Sequence, residues 1–157
     1  MDFEPGWAIL AGLVGGAAMA AVLYAGVLML PNQRKMNLFM LLGSMMLPVG
    51  AAAFIVGAMM HVMMSIVFGL AHGAVFAAAD INSSEAAWGL LFGAAHWVMS
   101  GMALAMLPLV HPRVRSGEID APGPFALGYP PMTAMGFLML HLLFGVVVGV
   151  IYGSAVN

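Results

Sequence analysis

Cysteine is absent from the 157 residues, which excludes disulfides, zinc–thiolate sites and thiol chemistry. Charge is nearly absent as well. Only 6% of the residues are Asp, Glu, Lys or Arg, against about 25% in a soluble domain. A chain with so few charges cannot wet its own surface, so its outside is expected to face lipid. The four basic residues leave no electrostatic footprint for nucleic acid. There is no Ser–His–acid set, phosphate-binding loop or carboxylate pair, so no catalytic residue is assigned and an enzyme is the lesser expectation. No Lys or Arg precedes the first apolar run, which opens MDFEPGW, so that run reads as a retained helix and not as a secretory signal.

What is present is apolar: 64% hydrophobic residues and a mean hydropathy of +1.07. A bilayer core about 30 Å thick takes about 20 apolar residues per helix. Four runs meet that length, at about 7–30, 50–79, 85–109 and 132–155. The apolar stretch from Leu38 to Ala79 is too long for one span: as a single helix it would reach roughly 60 Å. Pro48 and Gly50 mark the break, leaving 38–47 as an interfacial or re-entrant segment. Ser83 or Ser84 can cap the third span, with Glu85 at its positive end. The segment His111 to Pro131 holds five of the nine prolines and reads as an irregular loop. The expected fold is all-α, a single membrane domain over 1–157 built as a four-transmembrane-helix bundle.

All four basic residues fall in two places, Arg34 and Lys35 in loop 31–37 and Arg113 and Arg115 in loop 110–131. In a four-span chain those loops share a side. The positive-inside rule makes that side cytoplasmic and both termini external, in a cytoplasmic (inner) membrane. Trp7, Trp88 and Tyr129 sit near span ends as interface anchors. Trp97, well inside the third span, needs a partner for its indole or lines a pocket.

Shifted by 77 residues, the first span lies on the third. Gly12 falls on Gly89, Gly16 on Gly93, and Met29-Leu30-Pro31 on Met106-Leu107-Pro108. A shift of 80 lays the second span on the fourth. The chain therefore reads as two tandem helix pairs, about 7–79 and 85–155, related by a pseudo-twofold along the membrane normal. Every span carries small residues four apart: Gly12 and Gly16; Ser65, Gly69 and Gly73; Gly89 and Gly93; Gly145, Gly149 and Gly153. Lipid supplies no hydrophobic force between helices, so close backbone approach over small residues must hold them together. These rows serve packing within the bundle, or a face toward a second copy or a larger membrane complex.

Four of the five histidines lie inside spans, and no Asp, Glu, Lys or Arg lies well inside any of them. His61 and His141 hold equivalent repeat positions on the ridge of their glycines. His96, mid-way along the third span, shares their depth. His72 follows His61 by eleven residues, roughly 20° off the same face and about 16 Å further along. Its repeat equivalent is Tyr152. Ionisable side chains at membrane depth mark sites by default. Three chemistries fit His61, His141 and His96. Haem b would take two facing imidazoles as axial ligands, with glycines making room for the macrocycle. Copper would take imidazole with thioether, and Met60, Met64 and Met99 stand nearby. A proton or quinone pathway would run along His61 and His72. Against all three stands ordinary packing, with neutral histidines hydrogen-bonded across helices and methionine as pliable filler. His111, beside Pro112, reads as interfacial.

The Gly-x3-Gly opening helix (Gly12, Gly16), the Met-Leu-Pro exit (Met106 to Pro108) and the His-x3-Gly-x3-Gly-x2-Tyr-Gly closing helix (His141 to Gly153) resemble those of small uncharacterised bacterial four-helix membrane proteins. The resemblance implies a fold and a membrane location and transfers no activity. The residues themselves point to a non-catalytic membrane protein. It would hold copper or haem as an accessory subunit or carrier of a redox system, or serve as a structural subunit docking through its glycine rows. A small transporter or proton pathway is the third reading.

Overall fold

The computed structural model describes residues 2–30, 32 and 36–156. Arg34 and Lys35, half of the basic charge, lie outside the described residues. The described chain is helical, with four long helices and two short ones: α1 (Pro5–Met29), α2 (Leu38–Gly43), α3 (Ala51–Ala78), α4 (Glu85–Val110), α5 (Pro112–Arg115) and α6 (Pro131–Val156), with a 3₁₀ turn at Pro124–Ala126. The all-α expectation and its four long apolar helices therefore hold. Each of α1, α3, α4 and α6 is long and apolar enough to cross a membrane.

Local chemistry sets most boundaries. The long apolar stretch breaks between Gly43 and Ala51. Pro48 there has no N–H to give a helix and pushes Leu47 out of the α region. Asn37 starts α2 by accepting the Met40 N–H on its side chain at 3.1 Å. Ser84 departs from its expected capping geometry. Its φ is +57°, where an N-cap is normally extended. Pro108 does not end α4, which runs on to Val110. So near the helix end, its missing N–H forfeits a single ladder bond. The Pro-rich segment is less irregular than its composition implies, since it holds α5 and the 3₁₀ turn.

The chain divides into two compact units, each fed by parts of the same long helices. The first comprises residues 1–21, 62–96 and 139–157. Its helices meet over glycines. A Cβ on Gly12 would strike the Ser65 carbonyl and the Gly69 Cα, and one on Gly69 would strike the Ala8 carbonyl. A Cβ on Gly89 would strike the Gly145 carbonyl and the Gly149 Cα, and one on Gly149 the Glu85 carbonyl. At the helix ends, Gly73 lies against the Ala8 side chain and Gly153 against that of Glu85. The backbones are therefore in direct contact at both crossings, the arrangement small-x-x-x-small rows permit. Gly15 adds a third contact, over Phe144 and Val148.

The second unit comprises residues 22–61 and 97–138. Here α2 lies on the start of α3. Gly57 faces the Phe39 carbonyl, and Gly43 faces the Ala53 carbonyl. Tyr24 of α1 donates to Asn37 Oδ1 at 3.0 Å, and its hydroxyl accepts the Phe39 N–H at 3.1 Å. The rings of Tyr24, Phe39 and Phe54 pack together at centroid distances of 4.8–5.9 Å. In the same unit, Phe125 and Ala126 adopt φ of +53° and +61°. Left-handed backbone costs roughly 1–2 kcal/mol per such residue. It is offset by packing. The Phe125 ring lies 4.7 Å from that of Trp97 and over Gly101, where any Cβ would collide with it.

Tyr129, expected as an interface anchor, is half-buried and donates to the Asp120 carbonyl at 2.9 Å. Burial first, and the Asp120 carboxylate second, raise its hydroxyl above the usual value of 10. The unfolded chain therefore loses this proton before the folded one. Stability from this group is full below about pH 10 and is lost as pH rises through the folded value. Alkaline unfolding should begin above that pH, and Tyr129→Phe should delay it in a circular-dichroism titration.

Candidate functional site

The buried positions of α3 recur every four residues at Ala53, Gly57, His61, Ser65, Gly69 and Gly73, with His72 and Phe76 alongside. The ridge that carries the glycines thus carries His61 and His72 inward. On α6 the same spacing buries His141, Gly145, Gly149 and Gly153, with Phe144, Val148 and Tyr152 on the adjoining ridge. On α4 it buries Gly89, Gly93 and His96. A 3.6-residue period, not any special backbone, places these imidazoles.

Three of them meet in the first unit. The His96 ring lies between its two partners, 4.8 Å from His141 and 5.8 Å from His72, nearly perpendicular to each. Aromatic side chains fill the surroundings. Phe68 stacks on His96 at 3.7 Å, and Phe144 lies 5.5 Å from both His96 and His72. Phe92 stands 6.1 Å from His72. His72 and His96 are each 7% exposed, and the Nδ1 atoms of both have no hydrogen-bond partner within the protein. An unpaired buried polar atom costs about 1–3 kcal/mol, so two in one cage is not a cheap way to fill a core.

The sequence reading paired His61 with His141 and made His96 a third partner; in the first unit it is His96 that meets His141, and His72 is the third member of their cluster. His61 belongs to the second unit, where its ring lies 5.5 Å from Phe39. The methionines named as soft ligands lie toward the outer faces. Met64 and Met99 are exposed, and Met60 is half-buried. Among the described residues, no group of three or more His, Cys, Asp and Glu is arranged to hold a metal ion. Tyr152 is fully buried, and its hydroxyl accepts the Glu4 N–H at 3.2 Å. Trp97 does bury its indole N–H without a partner in the protein, beside Phe125. Comparison with known protein families, with curated proteins and with solved structures finds no match.

His111 corrects the sequence reading. It is fully buried and not merely interfacial. Its Nδ1 accepts the N–H groups of Arg113 and Val114 at 3.2 and 3.3 Å, capping α5. An acceptor at Nδ1 leaves the proton on Nε2, which donates to the Leu41 carbonyl at 2.8 Å. One neutral ring therefore ties α5 to α2. The signal was legible, because Pro112 is in the N1 position that helices favour for proline. His111→Ala should lose the cap, about 1 kcal/mol, and a buried bond to Leu41, about 1–3 kcal/mol more. His111→Asn, which can cap but cannot reach Leu41, should recover only the first part. Unfolding titrations in mixed micelles separate the two.

Proposed function

We propose that the chain is a non-catalytic integral membrane protein that carries protons through the bilayer along His72, His96 and His141. One observation carries the reading: three imidazoles packed ring to ring in an aromatic cage, two of them with an unsatisfied Nδ1. A relay needs groups that both donate and accept at short range. A neutral imidazole holds one N–H and one lone pair, and histidine chains serve as intramembrane relays. With Glu85 at the very start of α4 and no carboxylate well inside the spans, histidine is what this chain has for the task.

Two observations weigh against copper or haem as the guest. The rings of His141 and His72 stand only 4.8 and 5.8 Å from that of His96, ring against ring, with no plane of space between them for a macrocycle. Met64 and Met99 are exposed and Met60 belongs with His61 to the second unit, so the thioethers that favoured copper are not gathered on the imidazole cluster. Gly12, Gly69, Gly89, Gly145 and Gly149 form crossings within the chain, which favours the packing role of the glycine rows over a docking face. The tandem repeat, in contrast, gains support. The contacts of Gly12 with Ser65 and Gly69 map by the shifts of 77 and 80 onto those of Gly89 with Gly145 and Gly149. Ala8 with Gly73 maps likewise onto Glu85 with Gly153. In the bilayer we place both termini outside and Arg113 and Arg115 on the cytoplasmic side of an inner membrane.

The test is a pH gradient across vesicles holding the purified chain and a trapped pH-sensitive dye, with potassium and valinomycin to balance charge. The gradient should collapse faster than in empty vesicles. Metal analysis and an absorption spectrum accompany it. An unchanged gradient, stoichiometric copper or a haem Soret band would each overturn the proton reading.

A further inference from the structure

Resting on that reading, we propose that protons reach the histidine cluster through Tyr152, from the helix ends that carry Glu4 and Glu85. Tyr152 sits eleven residues beyond His141 on α6, about 16 Å along and roughly 20° off the same face. The buried residues between them on that face, Phe144, Gly145, Val148 and Gly149, offer no side-chain donor or acceptor. From α3, His72 reaches part of the way. Its chain neighbour Gly73 lies so close to the tyrosine that a Cβ there would fall 3.1 Å from the Tyr152 ring. Phe76 closes the adjoining side, 6.0 Å from the same ring. At its outer end the hydroxyl meets the Glu4 backbone N–H, and the Glu85 side chain lies on Gly153, the next residue of α6. Tyr152 is 0% exposed, a buried hydroxyl between the helix ends that carry Glu4 and Glu85 and the turn of α3 that carries His72.

The chemistry is a relay without net change at the tyrosine. Its oxygen has two lone pairs, and the Glu4 N–H occupies one. The second takes a proton delivered from the Glu4 and Glu85 side, while the phenolic proton passes inward to an imidazole lone pair. The hydroxyl ends as it began, and one positive charge has moved from the helix end to the cluster. No oxidant, reductant or co-reactant is involved.

Tyr152→Phe keeps the ring and its packing and removes only the hydroxyl. In the vesicle assay it should slow gradient collapse by roughly a hundredfold, the low end of what a positioned proton-transfer group contributes. Glu85→Gln should slow it less, since Glu4 remains at the same end. His96→Phe, run beside them, separates the two ideas. If His96→Phe abolishes conduction and Tyr152→Phe leaves it at the parent rate, the route through Tyr152 is wrong while the cluster stands. If neither variant changes the rate, the cluster reading fails with it. Circular dichroism of Tyr152→Phe should match the parent, with thermal unfolding lowered only by the lost hydrogen bond from the Glu4 N–H, and a slowed rate in a variant so folded is the supporting result. A slowed rate in an unfolded variant is met by Tyr152→His, which restores a donor and acceptor at the site. Recovery of conduction supports the route, and failure to recover overturns it.

Discussion

Gly89→Leu should unfold this protein or leave it only marginally folded. At Gly89 the obstruction is backbone, the carbonyl of Gly145 and the Cα of Gly149, and backbone cannot rotate aside as a side chain can. Overpacking a core by extra methylenes costs typically about 1–3 kcal/mol even where neighbours adjust. Here four added carbons must separate two helices along a crossing that includes Gly93, Gly145 and Gly149, so the close dispersion contacts at all four positions are lost together. The expected loss is at the top of that range or beyond it. Gly12→Leu, against Ser65 and Gly69, should match it in size. Gly6→Ala is the control. Nothing lies within 4 Å of its Cβ position, and alanine is about 1 kcal/mol better than glycine within a helix. It should be neutral or stabilising. Thermal unfolding in one detergent for all three variants gives the comparison. A tolerated Gly89→Leu would mean that α4 and α6 do not touch as described.

Those crossings also show which features a single sequence reveals. The four long helices are legible because each needs only an uninterrupted apolar run, and the proline at 48 announces the break in the longest one. The inward ridges are legible from a spacing of four, since burial follows the helical period. Which ridge meets which is not legible. His61 and His72 lie eleven residues apart on nearly one face, so periodicity alone cannot say which of them stands against His96. Depth along the helix decides that, and depth depends on how far α3 is offset against α4. The offset is set by where Gly12 and Gly89 lock onto their partners, a three-dimensional matter with no local signature. The Phe125 turn was hidden for a related reason. Its left-handed residues are not glycines, and only the empty space over Gly101 makes that conformation worthwhile.

His96→Phe should abolish proton conduction while leaving stability unchanged or slightly raised. The phenyl ring keeps the flat shape and stacking surface of imidazole, so the stack on Phe68 and the edge contacts with His141, His72 and Phe144 are retained, but it is one ring atom larger. Extra volume in a packed core costs about 1–3 kcal/mol. Against that cost stands the Nδ1 of His96, which is buried without a partner in the protein. Removing an unsatisfied polar atom recovers part of its burial cost, about 1–3 kcal/mol, so the two effects roughly cancel. The two outcomes move apart if the histidines are instead interhelical glue. In that case His96 holds a hydrogen bond worth about 0.6–2 kcal/mol, and its loss lowers the melting temperature. Conduction would be absent in parent and variant alike. Measuring both quantities on the same preparation is therefore decisive. A melting temperature held or raised, with conduction gone, assigns the imidazole to proton transfer, because a purely structural residue cannot be dispensable for folding and essential for flux.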